Sequence, residues 1–256
     1  MTSSHELSRE YREYERTSTV VMNAFVGPKV SRYIENLESL LSEKGFKGRF
    51  FLMESNGGVA DAATIKQLPA LLMESGPVGG IAGSIKLGET IQRGNLLTFD
   101  MGGTTAKAGV VYDGQVMMAG NIMVGGYEEG LPIQIPLIDI QEVGTGGGSI
   151  ARVETGGSLR VGPQSAGASP GPVCYALGGE EPTVTDANLI LGRLAADRFL
   201  GGEMKLDLEH ARRALQEKVV GPLGIDLVEA ANGIIRIAAT SMSHVVTRVT
   251  PERGLD

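Results

Sequence analysis

The sequence predicts an α/β fold in which a mixed sheet is flanked by helices. Two short apolar runs, at residues 50–53 and 95–99, have the length and composition of buried strands. Stretches with helical spacing alternate with such runs, and this alternation is typical of parallel α/β layers. Asp113 and Gly114 form a strong hairpin signal, so we also expect an antiparallel pair in the sheet.

The first half of the chain should contain one long helix and then an alternation of strands and helices. The long helix is predicted over residues 17–43, and Gly27 with Pro28 should kink or split it, because proline lacks the N–H of that turn. Gly45 stands where a C-terminal cap belongs. Residues 50–53 are expected to form a strand buried on both faces. The following elements, in the order helix, strand, helix, are predicted at residues 59–67, 71–73 and 76–87.

The second half is predicted to be mostly strands, with two helices at the end. Strands are expected at residues 95–99, 107–112, 115–119 and within 131–162, followed by an irregular stretch over 163–182. Asp207 should cap the first closing helix, and Asp226 with Glu229 should begin the second. Pro251 should end that second helix.

Composition excludes several classes of function for this 256-residue chain. Acidic side chains number 30 and basic side chains 23, a net charge of −7 without a Lys/Arg cluster, which does not favour nucleic-acid binding. No apolar run reaches the length of a membrane span, and the opening residues lack a signal-peptide pattern. The lone Cys174 cannot form an internal disulfide, so we expect a cytoplasmic protein. Residues 1–16 are polar and are predicted to be a flexible or surface segment.

The most informative segment is Asp100-Met101-Gly102-Gly103-Thr104-Thr105, which follows an apolar strand. Glycines allow main-chain N–H groups to approach an anion, and threonine hydroxyls can donate to phosphate oxygens. Phosphate would repel Asp100 unless a cation lay between them, so its natural role is to hold hydrated Mg²⁺. An ordinary tight hairpin explains the same residues and is the commoner reading of this segment taken alone.

Other candidate residues have a structural reading beside the functional one. Gly144–Gly148 is either a second anion-binding loop or a flexible turn, and a structured loop is slightly favoured because glycine is otherwise costly there. Asp186 is interpreted first as a helix N-cap and second as a cleft residue. Cys174 has no neighbouring base and is predicted to be inert. The three histidines, His5, His210 and His244, show no metal-ligand spacing.

The order strand, small-residue helix, short link and strand with Asp-x-Gly-Gly-Thr resembles the second half of the actin, hexokinase and heat-shock chaperone ATPases. Further motifs lie at residues 15–19, 55–58, 75–77, 100–105, 144–150, 160–175 and 183–189. These motifs resemble those of the hydantoinase A / oxoprolinase family, which includes N-methylhydantoinase A, 5-oxoprolinase and the acetone carboxylase beta subunit. Together they are specific, although each is weak alone.

The resemblance implies an actin-like (ribonuclease H-like) ATPase lobe that uses ATP and Mg²⁺. Residues expected at the nucleotide are Asp100, Gly102, Gly103, Thr104 and Thr105, then Ser75, Gly76 and Gly79 at the start of a hinge helix, and Ser55, Asn56, Gly57 and Gly58 along the same cleft. Asp100 is the expected metal ligand, and no catalytic base can be named. The implied substrate is a cyclic amide or a ketone, and the implied partner is a hydantoinase B-like subunit in a hetero-oligomer.

The chain departs from the family pattern in ways that limit these expectations. Lys107 stands where many members have an acid, and a solvated strand lysine is the expected reading, with phosphate contact as the alternative. Gln141 stands where members often have histidine, which puts the substrate range in doubt. The family's first phosphate loop and its adenosine-binding segment are not found. We therefore expect residues 1–256 to be a partial domain that is inactive in isolation and binds ATP weakly or not at all.

Three functions remain open at this stage. The first is the nucleotide-handling part of an ATP-dependent cyclic-amide hydrolase, in which phosphorylation turns an unreactive oxygen into a leaving group. The second is a subunit of an ATP-dependent ketone carboxylase. The third is a non-catalytic ATPase-like binding module. The run from Gly162 to Gly167 resembles the amidohydrolase relatives and favours an enzyme.

Overall fold

The chain forms two compact units. The structure, a computed structural model, describes residues 2–120, 122–125 and 130–255, so parts of the predicted 1–256 domain, including Met1 of the N-terminal segment, lie outside the described residues. The first unit is built from residues 1–98 and 109–140, and the second from residues 99–108 and 141–256. Within the described ranges, no helix is both long enough and apolar enough to span a bilayer.

Helices and short strands alternate along the chain. In order they are α1 Ser4–Leu7, α2 Glu13–Glu43, β1 Phe51–Met53, β2 Val59–Asp61, α3 Ala62–Gln67, α4 Ser75–Thr90, β3 Leu96–Met101, β4 Ala106–Tyr112, β5 Gln115–Val116, β6 Ile122–Val124, β7 Leu131–Ile133, β8 Ile140–Val143, β9 Ser149–Val153, β10 Leu159–Ser165, α5 Val184–Ile190, α6 Leu208–Leu215, α7 Gly221–Leu223 and α8 Leu227–Val249. One sheet has the order β3-β4-β5, with β8 also paired to β4.

Helix α2 continues through Pro28, so of the two predicted alternatives the split is wrong, and the kink stays a prediction. Tertiary contacts on both sides of the proline hold the helix together. Before it, the buried Asn23 donates to the Gln67 carbonyl and accepts from the Ala70 N–H. After it, the fully buried Ile34 belongs to a core cluster with α3. These contacts offset the roughly 3 kcal/mol that a proline costs inside a helix. The predicted cap at Gly45 is confirmed, with φ at +74°.

Residues 50–73 do not form the predicted parallel layer. Strands β1 and β2 pair antiparallel, and Phe51 is 44% exposed, so β1 is not buried on both faces. The predicted helix over 59–67 begins only at Ala62, after β2. The predicted strand over 71–73 is instead part of a 3-10 turn at Pro69–Leu72. Proline at its first position presets the backbone angle that such a turn needs.

The remainder of the first unit follows the sequence pattern. Helix α4 buries Val78 and Ile81, and both pack with Val111 of strand β4. The predicted hairpin at residues 113–114 is confirmed. Asp113 and Gly114 both have positive φ, of 49° and 75°, and β4 pairs with β5 across them. This is the conformation for which Asp-Gly is favoured in two-residue hairpins.

The second unit packs helices against the antiparallel pair formed by β9 and β10. Its core contains the fully buried Leu215 of α6 and Ile234 of α8, packed with residues of both strands. Both predicted caps are confirmed: Asp207 accepts from the main chain at the start of α6, and Asp226 does so at the start of α8. Helix α8 ends at Val249, before Pro251, as predicted.

Candidate functional site

Residues 100–105 form an exposed bend in the second unit. Asp100 and Met101 are still part of strand β3, so the turn itself comprises Gly102 to Thr105. The Gly102 N–H donates to the Thr105 carbonyl at 2.9 Å and closes the turn. Asp100, Gly103 and Thr104 are exposed, and Thr105 is half-buried. The bend is therefore accessible to a ligand.

The glycine loop at residues 144–148 holds the bend from one side. The Gly147 N–H donates to the Gly102 carbonyl at 3.0 Å, and the Gly148 N–H donates to the Gly103 carbonyl at 2.6 Å. The approach is too close for side chains. A Cβ on Gly146 would lie 2.7 Å from the Gly102 carbonyl oxygen. Glycine is used here because it permits two main-chain segments to touch.

This contact orients the free N–H groups of the bend. In a trans peptide the C=O and the N–H point in opposite directions. The Gly102 and Gly103 carbonyls face the glycine loop, so the N–H groups of Gly103 and Thr104 face away from it. Over the described ranges, no residue accepts a hydrogen bond from the N–H of Gly103, Thr104 or Thr105. Successive free N–H groups on an exposed bend are the elements of an anion-binding site.

The glycine loop is structured, as slightly favoured from the sequence, but its own amides are occupied. The Gly146 N–H donates to the Ser149 hydroxyl at 2.9 Å, while Gly147 and Gly148 bond the bend. Gly146 and Gly148 are buried. The interpretation of this loop as a flexible turn is therefore wrong. The N–H groups of Gly146, Gly147 and Gly148 are used within the chain, which does not favour this part of the loop as a second anion site.

Ser165 is a neighbour of the bend that the sequence did not single out. Its hydroxyl lies 3.4 Å from that of Thr104 and accepts from the Gly167 N–H at 3.1 Å. Ser165 ends strand β10, which places it beside the bend. Its only sequence signal is its position in a run with family resemblance.

Lys107 is not the solvated strand lysine that the sequence suggested. Its ammonium lies 3.2 Å from the Glu142 carboxylate, and its side chain is 20% exposed. Both residues belong to the second unit, on strands β4 and β8. A paired lysine two residues after Thr105 contributes local positive charge that Glu142 largely neutralises. Gln141 lies beside Glu142 on β8 and is half-buried.

The predicted residues at 55–58 belong to the first unit, so their arrangement is described within it. Ser55 is fully buried, and its hydroxyl donates to the Pro136 carbonyl at 2.8 Å. Asn56 accepts from the Gly58 N–H at 2.6 Å. Gly57 has φ at +89° in the turn that joins β1 to β2. These polar groups are used locally, and a role at the nucleotide stays a prediction.

Ser75, Gly76 and Gly79 also lie in the first unit, in the first turns of helix α4. The helix starts after Glu74, whose backbone is left-handed with φ at 55°. A Cβ on Gly76 or Gly79 would meet nothing within 4 Å. In the described part of the chain no contact requires glycine at either position, and a role at the nucleotide stays a prediction for Ser75, Gly76 and Gly79.

Asp186 is not the N-cap of helix α5. Thr183 is the N-cap, and Asp186 completes a capping box with it. The Asp186 carboxylate is fully buried and accepts from the N–H groups of Thr183 and Cys174, each at 2.8 Å. Burial, with Asp186 beside it, raises the pKa of the Cys174 thiol, which agrees with the prediction of an inert cysteine. In the described part of the chain, no group of three or more His, Cys, Asp or Glu residues could hold a metal.

The chain is similar in sequence to proteins of one known family. The profile of the hydantoinase/oxoprolinase family matches residues 16–256. An uncharacterized protein of Methanocaldococcus jannaschii is 44% identical over 99% of this chain and 38% of its own length. The caprolactamase subunit alpha of Pseudomonas jessenii is 40% identical over 99% of this chain and 36% of its own length. The chain thus spans less than two fifths of these relatives.

Two solved structures share the fold. The nucleotide-free structure of acetone carboxylase superposes with a TM-score of 0.85 at 28% identity, over 98% of this chain and 35% of that one. The ATP-dependent caprolactamase of Pseudomonas jessenii superposes with a TM-score of 0.76 at 39% identity, over the whole of this chain and 36% of that one. The predicted α/β class is confirmed by these neighbours. The chain therefore belongs to the hydantoinase/oxoprolinase family.

Proposed function

We propose that this chain is the nucleotide-handling part of an ATP-dependent hydrolase of cyclic amides. In this proposal the bend at residues 100–105 holds the Mg²⁺-bound phosphates. The observation that carries it is the pair of outward N–H groups at Gly103 and Thr104, whose partner carbonyls are tied to the glycine loop. A donor pair held rigid before the ligand arrives binds an anion with little reorganisation.

The residues of the bend fit a magnesium phosphate. Main-chain N–H groups and the Thr104 and Thr105 hydroxyls are donors that suit phosphate oxygens. Asp100 is an exposed carboxylate at the same bend, and Mg²⁺ is usually held by one or two carboxylates together with waters and phosphates. Asp100 would hold the ion, and the donors would hold the phosphate.

When bound, ATP supplies a transferable phosphoryl group that converts an amide oxygen into a leaving group. The contribution of this chain is positioning. The N–H groups of Gly103 and Thr104 would orient the phosphate, and Asp100 would hold the Mg²⁺ that offsets the phosphate charge. Catalysis of phosphoryl transfer is mainly of this kind, so a bend without a general base is sufficient for its part.

A ketone carboxylase is the second candidate. The higher structural similarity to acetone carboxylase favours it, whereas the higher sequence identity to caprolactamase favours the hydrolase. In both cases the same bend would handle ATP, and a hydantoinase B-like partner in a hetero-oligomer would supply further chemistry. Several relatives are subunits by name, which supports such an assembly.

The test uses the full-length protein that carries this chain, assayed with its partner subunit. ATP turnover is measured with hydantoin, 5-oxoproline, caprolactam and acetone as substrates. Asp100→Asn removes the charge at nearly constant shape and should lower turnover about 100-fold or more, as loss of a transition-state charge contact does. Stimulation by a cyclic amide supports the hydrolase, and stimulation only by acetone with bicarbonate supports the carboxylase.

A matched control is available on the hairpin of the first unit. Asp113→Asn is the same substitution at another exposed turn, where asparagine tolerates the positive φ of 49°. It should leave ATP turnover unchanged. Equal turnover in Asp100→Asn and the native protein would remove the proposed metal role, and absence of any substrate-dependent turnover would favour a binding module.

A further inference from the structure

Thr185 is hydrogen-bonded to the glycine loop on the side opposite the bend. Its N–H and its hydroxyl both donate to the Gly147 carbonyl, each at 2.8 Å. Thr185 is 8% exposed, so solvent does not compete well for these hydrogen bonds. A Cβ on Gly147 would lie 2.9 Å from the Thr185 hydroxyl, so the contact requires glycine.

Two peptide groups, joined by a hydrogen bond, connect Thr185 to the bend. The Gly147 carbonyl and the Gly148 N–H belong to one peptide group, so fixing the carbonyl towards Thr185 aims the N–H at the Gly103 carbonyl. The Gly103 carbonyl and the Thr104 N–H belong to the second peptide group. The position of Thr185 thereby sets the direction of the Thr104 N–H, which is one of the free donors of the bend.

The position of Thr185 is fixed by its neighbours at the start of helix α5. Thr185 stands between Thr183 and Asp186, the two members of the capping box of helix α5. Asp186 is fully buried and also accepts from the N–H of Cys174, which ties the helix start to the preceding loop. A buried carboxylate with several donors has one arrangement, so Thr185 has little freedom to move.

We propose that Thr185 is a positioning residue for phosphate, acting through the Gly147–Gly148 and Gly103–Thr104 peptides. This inference rests on the proposed function of the bend. The Thr185 hydroxyl is used by the Gly147 carbonyl, so its proposed effect on the phosphate is indirect. Loss of the hydroxyl leaves one hydrogen bond on the Gly147 carbonyl and frees the loop to rotate, which weakens the alignment of the Thr104 N–H.

The experiment measures steady-state kinetics of the full-length protein with its partner subunit. Thr185→Val removes the hydroxyl at constant shape, and Thr185→Ser restores it. We expect Thr185→Val to raise KM for MgATP about fivefold, the effect of one neutral hydrogen bond, with KM for the organic substrate unchanged. Thr185→Ser should stay within about twofold of the native protein. Thr240→Val is the control, because its exposed hydroxyl donates to the Arg236 carbonyl within α8, at 2.9 Å.

The outcomes separate this inference from the function on which it rests. Suppose first that ATP turnover is impaired in Asp100→Asn. The positioning role alone is then overturned if folded Thr185→Val has the native KM for MgATP, or if Thr185→Val and Thr185→Ser raise that KM equally. Native turnover in Asp100→Asn overturns both. A uniform rise of both KM values indicates general damage and also overturns the role. If Thr185→Val does not fold, Thr185→Ala is compared with Thr185→Ser by the same criteria.

Discussion

The contact between the glycine loop and the bend predicts a large cost for a single methyl group. In Gly146→Ala the new Cβ would lie 2.7 Å from the Gly102 carbonyl oxygen and 2.7 Å from the Gly103 carbonyl carbon. Both are main-chain atoms, so no flexible side chain can give way. Gly146 is buried, and the added methyl group has no other direction in which to relax.

The magnitude follows from the two ways in which the structure can respond. If the backbone stays in place, overpacking of this kind costs about 1–3 kcal/mol. If the loop retreats, the hydrogen bonds from Gly147 to Gly102 and from Gly148 to Gly103 are lost, at about 1 kcal/mol each. Either response lowers the free energy of unfolding by about 2 kcal/mol.

Urea unfolding followed by circular dichroism measures this loss. With a slope of about 2 kcal/mol per molar urea, the midpoint should fall by about 1 M. Gly103→Ala is the matched control, because its Cβ would meet nothing within 4 Å, and it should stay within about 0.5 kcal/mol. If Gly146→Ala unfolds at the native midpoint, the tight contact that supports the bend does not exist.

Three more predictions concern other parts of the chain. Gly80→Ala, inside helix α4 with open space at the Cβ, should raise the free energy of unfolding by about 0.5–1 kcal/mol, and a lower urea midpoint would contradict this. The buried Cys174 should react with iodoacetamide at about pH 8 only after denaturation, so rapid labelling of the native chain would refute its inert role. The hydrogen bond from the Thr64 N–H lowers the pKa of Asp61 below its usual 3.8. Ionised Asp61 therefore stabilises the folded chain above pH 3.8, and this stabilisation is lost as the pH falls through the lower pKa of the folded state. The stability difference between native chain and Asp61→Ala should therefore narrow on acidification, and a constant difference in urea titrations at several pH values would exclude this contribution.

Local chemistry was sufficient to predict the elements whose ends are marked by single residues. Four such markers lie where the sequence places them: the caps at Asp207 and Asp226, the turn at Gly114, and Gly45 just past the end of helix α2. Each depends on a hydrogen bond or a backbone angle within a few residues of the marker. Such interactions form largely independently of the rest of the fold.

The two errors have different physical reasons. Pro28 was expected to kink or split α2, but Asn23 and Ile34 anchor the helix on either side of it. Asn23 bonds the Ala70 N–H, 47 residues away, and periodicity carries no information about such a distant contact. The run at residues 50–53 looked like an inner strand, but it pairs with the nearby β2 in a short hairpin that leaves Phe51 44% exposed. An apolar run by itself does not show which strand it will pair with.

At the candidate bend, too, local sequence decided some features and tertiary contacts decided others. By itself the sequence determined the donor set of residues 100–105, because glycine, threonine and aspartate offer the same chemical groups in any fold, and it supplied the motifs that relate the chain to its family. Only the tertiary structure decided which donors are free. Gly147 and Gly148 spend their N–H groups on the bend, and the planarity of the peptide group turns the N–H groups of the bend outwards as a result. The direction of a donor depends on what holds the carbonyl of its peptide, and here that group lies more than 40 residues further along the chain.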